Sequence, residues 1–103
     1  LQLVKRAQAE GYVVNMLFFW LESPELAVQR VAKRVSEGGH DIAPDVIRRR
    51  YELGLKNFFH LYKDAVDTWT LVDNACNPRH VIATDEDILD VELYKKIETY
   101  VND

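Results

Sequence analysis

The chain has 103 residues, 48% hydrophobic and 29% charged, enough for one packed domain (residues 1–103) of ordinary soluble composition. A net charge of −4 argues against a surface that coats nucleic acid, so any basic cluster is local equipment. The single cysteine, Cys76, excludes an internal disulfide and fits a reducing, cytoplasmic setting, and the longest apolar run, Met16 to Leu21, is far too short to cross a membrane.

Leu1 to Glu10 has apolar residues at helical spacing and reads as a surface helix stopped by Gly11 in a left-handed cap. Because the first residue is Leu and lies in a helix already under way, the chain is expected to be a fragment of a longer protein. Residues 12–21, YVVNMLFFWL, are β-branched and aromatic on both faces and read as a central strand of a parallel sheet. Ser23-Pro24-Glu25 then starts a helix: Ser supplies the capping oxygen, Pro suits the first helical position, and Glu favours the positive end of the dipole. Val28, Val31, Ala32 and Val35 form its expected buried stripe. Arg30 and Arg34, four apart, share a face. Gly38-Gly39 ends the helix and reads as a hinge.

A second helix opens at Pro44-Asp45. Its apolar positions Ile47, Tyr51, Leu55, Phe58, Tyr62 and Val66 keep a 3–4 rhythm for about five turns. That rhythm turns Arg49 to solvent and sets Arg48 and Arg50 beside the apolar face. Five arginines thus fall within 21 residues around the Gly-Gly-His segment, which suggests a lid over an anion. Residues 67–74, DTWTLVDN, read as a second strand. After the Asn77-Pro78 turn, His80 to Ala83 are expected to return as an antiparallel third. Residues 91–101 read as a closing helix. His40, His60 and His80 lie in unrelated segments without ligand spacing, so no metal site is expected. Cys76 has no cysteine partner and reads as a bystander, and Trp20 and Trp69 read as core.

Taken together, SPELAVQRVAKRV, EGGHDIAPDVIRRRYELGLKNF and DTWTLVDNACNP form an ordered set that resembles the C-terminal half of P-loop kinases, in particular the zeta-toxin-like family of ATPases and kinases. The resemblance covers roughly residues 1–84. It implies an α/β fold, part of a three-layer sandwich with a short, mainly parallel sheet (two parallel strands and an antiparallel third), flanking helices and a helical lid. It implies a phosphotransferase using ATP (or GTP) with Mg in the full-length protein and a small hydroxyl compound as acceptor. True zeta toxins, of toxin–antitoxin systems, act on a UDP-linked amino sugar. By the matching motifs Arg30 would lie against the base, Arg34 and Arg50 would contact phosphates across the lid, and Asn74 to Arg79 would border the base, with His40 and Arg48 as further lid contacts. A planar guanidinium suits both stacking and bidentate phosphate binding.

The sequence departs from that family in having no G-x-x-x-x-G-K-[ST] loop to cradle phosphates and present a hydroxyl to Mg. The chain alone is therefore expected not to catalyse transfer but to supply lid arginines and a base-side wall, the phosphate loop lying in sequence before Leu1. The partners expected are a nucleotide and the acceptor, with no nucleic acid and no membrane. The open edge of residues 12–21 is expected to drive self-association. Two other readings stay open: a non-enzymatic nucleotide- or anion-binding or protein-interaction domain, and a structural domain whose arginines are a solvated face. Asp73-Asn74 has its own plain alternative, an Asx turn.

Overall fold

A computed structural model describes residues 1–75 and 78–102. The order is α1 (Gln2–Ala9), β1 (Asn15–Trp20), α2 (Pro24–Ser36), α3 (Pro44–Asn57), a π-helical turn (Phe58–Tyr62), a short α4 (Lys63–Ala65), β2 (Thr68–Asp73), β3 (His80–Thr84) and α5 (Val91–Asn102). The fold is α/β: a small mixed sheet of order β1-β2-β3 with flanking helices. β1 and β2 run parallel, in the register Met16 with Trp69 and Phe18 with Leu71. β3 pairs antiparallel with β2, Leu71 opposite Ala83 and Asp73 opposite His80, with a register shift at Leu71 and Val72.

The local signals explain these boundaries. Gly11 (φ +89°) closes α1, its N–H on the Gln8 carbonyl and the Tyr12 N–H on the Ala7 carbonyl, a Schellman cap. Ser23 Oγ accepts from the Leu26 N–H at 3.3 Å, and Pro24 takes the first position of α2. Asp67 aligns the parallel pair, its carboxylate accepting from the Val14 N–H at 2.7 Å and from Gln8 Nε2 at 3.2 Å. Asp90 caps α5 by accepting from the Leu93 N–H.

The core lies on one face of the sheet. Phe58 is fully buried, stacks on Phe18 at 4.8 Å between ring centroids and meets Trp69 edge-on at 5.5 Å. Phe59 reaches Tyr94 of α5 at 5.6 Å, so α5 and the π turn cover the same face. Lys63 lies over the rings of Phe59, Trp69 and Tyr94 and hydrogen-bonds the Tyr94 hydroxyl.

Several expectations need correction. The strand over 12–21 is shorter, and Tyr12 and Val13 precede it exposed. Within this sheet β1 lies at an edge, the open edge expected of residues 12–21. Its side chains alternate: Met16, Phe18 and Trp20 turn to the core, while Leu17 and Phe19 remain 55% and 43% exposed. Val81 is also exposed, so where three layers are expected, this second face of the sheet is bare at Leu17, Phe19 and Val81. The long second helix is not α-helical throughout, because the Lys63 N–H reaches back five residues to the Phe58 carbonyl. In α2 only Val31 is buried, and Ala32 is exposed, because α3 is the one element packed closely along it. No described helix is long and apolar enough to cross a membrane.

Candidate functional site: a cationic cleft at the strand ends

Two parallel strands carry the chain to the same end of the sheet, where β1 leaves at Leu21 and β2 at Asn74. In open α/β sheets this carboxyl end is where ligands gather. The strands are tied there: the Asn74 N–H donates to the Trp20 carbonyl at 2.9 Å. Above them α2 and α3 pack against each other and flank an open cleft of about 920 Å³.

Each helix contributes along one face. From α2 and its cap come Ala27, Arg30, Val31, Lys33, Arg34 and Glu37, the spacing of successive turns. From α3 come Ile47, Arg50 and Tyr51, and Ile42 from the connection closes the side. The lining therefore holds four cations and one carboxylate in a chain whose net charge is −4. All four cations are exposed to solvent, so their summed field draws an anion to the cleft while water and salt screen each contact.

Two contacts fix the geometry. Arg30 Nη2 donates to the Asn74 carbonyl at 2.8 Å, pinning α2 to the end of β2. That uses one of the five guanidinium donors and leaves the others available. The Tyr51 hydroxyl donates to the Leu21 carbonyl at 2.6 Å, pinning α3 to the end of β1. Burial, reinforced by Tyr100 and Glu52, pushes the Tyr51 phenol up to about 12, so it remains a donor across the neutral range.

The two glycines after α2 close its end in a tight cap. Gly38 has φ +99°, and the Gly39 N–H donates to the Arg34 carbonyl at 2.7 Å, again a Schellman cap. A Cβ on Gly39 would meet that carbonyl oxygen at 2.8 Å. The cap thereby holds the last turn of α2, which carries Lys33 and Arg34 at the negative end of the helix dipole.

The structure brings Arg30, Arg34, Arg50 and Asn74 to this one cleft. It does not bring His40 or Arg48. His40 is exposed in the connection, and Arg48 faces Glu25 at the start of α2 across 3.6 Å. Cys76 and Asn77, within the segment expected to border a base, lie outside the described residues. Arg79, from the same segment, lies 4.8 Å from the Phe19 ring, on the bare face of the sheet. Asp73 Oδ1 accepts from the Ala75 N–H at 3.0 Å, the Asx turn. Sequence reasoning missed Lys33, Glu37 and Tyr51 as lining residues. The signal was present: Lys33 follows Arg30 by three, Glu37 follows Arg34 by three, and Tyr51 follows Ile47 by four.

No protein-family model matches the chain, and no solved structure does. It aligns at 33% identity over 51 residues with an uncharacterized protein of Haemophilus influenzae. The alignment takes in 50% of this chain and 36% of that relative, so the chain spans little more than a third of the relative's length.

Proposed function

We propose that the cleft binds the phosphates of a nucleoside triphosphate, and that the chain supplies the lid arginines and base-side wall of a zeta-toxin-like P-loop kinase. The observation that carries this reading is the convergence of Arg30, Lys33, Arg34 and Arg50, from two helices, on a cleft at the carboxyl ends of parallel strands. Arg34 and Arg50 approach from opposite walls, suited to holding phosphate oxygens between them. Arg30 and Asn74 form the side for the base. In the full-length protein ATP (or GTP) with Mg and a small hydroxyl acceptor would be the ligands. The chemistry of the transferring phosphoryl group would belong to a phosphate loop absent from this sequence. That absence also favours a second reading, in which the chain is an anion- or nucleotide-binding module without catalysis.

Titration with ATP, followed by tryptophan fluorescence, tests the binding claim, since Trp20 directly precedes Leu21 of the cleft. The expected result is saturable, millimolar binding that is lost in Arg34→Ala. Absence of binding to the wild-type chain, or binding indifferent to Arg34→Ala, would favour a structural role for the arginines.

A further inference from the structure

A second cavity, of about 190 Å³, adjoins the cationic cleft and shares Leu21, Arg50 and Tyr51 with it. Its other walls are apolar, with Phe18 and Trp20 of β1 on one side and Leu55 of α3 on the other. The remaining lining residue on α3 is Gly54.

Gly54 is costly where it stands. A glycine in a helix interior weakens the helix relative to alanine. Its φ is not positive, and apart from its own helix a Cβ built there would meet no atom within 4 Å. What the missing side chain provides is room in the cavity. An engineered apolar cavity of about 150 Å³ accepts benzene. At about 190 Å³ this one holds a single aromatic ring or a short branched alkyl group. The walls reject a charged group, while Arg50 at the boundary with the cleft favours an anion next to the apolar part.

We propose that this second cavity is the apolar subsite of a small amphiphilic anion: one ring or short alkyl group lies between β1 and Gly54, and the anionic group is held by Arg50. The proposal rests on the reading of the large cleft as an anion site. It adds an apolar part of the ligand distinct from the base, whose anionic group shares Arg50 with the phosphates assigned there, and its chemistry fits an aryl or alkyl phosphate.

The test is an amide chemical-shift titration of the whole chain with three probes: inorganic phosphate, phenol and phenyl phosphate. Phenyl phosphate is expected to bind at least about tenfold tighter than phosphate, from burial of its ring, and to shift Gly54 and Leu55. Phenol alone is expected to shift the same two residues. Gly54→Leu, which fills the cavity with a helix-favouring side chain, is expected to melt no lower than wild type. It is also expected to erase the phenyl advantage and leave phosphate affinity unchanged. Equal affinity for phosphate and phenyl phosphate would overturn the subsite and leave the anion cleft standing. A phenyl preference that survives in Gly54→Leu would overturn it too. Phenol shifts at Gly54 without any phosphate binding would overturn the anion reading and the Arg50 contact together. Conversion of a self-associated chain to a monomer by Gly54→Leu would assign the cavity to a second copy and overturn the small-molecule proposal.

Discussion

Arg34 is held in the cleft by the two residues that cap its helix. Gly38 adopts a backbone conformation that costs an L side chain about 1–2 kcal/mol, and Gly39 approaches the Arg34 carbonyl too closely for any Cβ. Gly39→Ala is therefore expected to destabilise the chain by about 1–3 kcal/mol in urea unfolding. It should also weaken ATP binding, because the displaced carbonyl belongs to the last turn of α2. An unchanged unfolding midpoint would show that the cap yields without strain. The sequence displayed both glycines plainly as the end of α2, but not the tight cap they form there. Spacing alone does not show that Gly39 lies against the Arg34 carbonyl. Arg48 was illegible for a similar reason. Helical phase puts it beside the apolar face, but phase alone does not disclose that Glu25 of α2 faces it.

At the scale of elements, α5 depends on a carboxylate at its start. Asp90 accepts from the Leu93 N–H and meets His80 Nε2 at 2.9 Å, joining β3 to the helix. The His80 hydrogen bond first, and the Leu93 N–H second, hold its carboxyl below the ordinary 3.8. Asp67, between β1 and β2, is held low by the Val14 N–H and then by Gln8. A depressed carboxyl stabilises the fold above its unfolded pKa, and that contribution is lost as pH falls through the lower, folded value. Stability is accordingly expected to be retained through pH 4 and to fall more steeply below it, the wild-type chain losing more than Asp90→Asn over that acid range. Parallel acid-unfolding curves for the two would remove Asp90 from the account. The starts and ends of α1, α2 and α5, the parallel pairing of β1 with β2 and the antiparallel return of β3 were all legible, because caps and alternation are local signals. The π turn was not. Leu55, Phe58, Tyr62 and Val66 keep a regular helical spacing, and the extra backbone residue arises where Phe58 and Phe59 must face different neighbours, Trp69 and Tyr94.

For the whole molecule, the bare face and open edge at β1 are the largest departure from a self-sufficient fold. Leu3, Tyr12, Val13, Leu17 and Phe19 are exposed in one region of the chain, and an unpaired strand edge is a template for another chain. The 103-residue chain is expected to self-associate, with an apparent mass by light scattering that rises with concentration. A monodisperse monomer at high concentration would contradict this. Periodicity could show which residues share a face, but not whether another element arrives to cover it. That is why residues 12–21 read as covered on both faces and Ala32 as buried. Part of the cleft was legible: spacing put Arg30 and Arg34 on one face of α2, while the choice of Arg50 over Arg48 came from the family resemblance, since helical phase treats the two alike.

The central claim is that these arginines form one anion site, and amide mapping with ATP tests it most directly. The account predicts saturable shifts concentrated at Arg30, Lys33, Arg34, Arg50, Tyr51 and Asn74, moving with a common affinity that falls as salt is raised. Shifts scattered over the surface, or confined to the Arg79 side of the sheet, would contradict it.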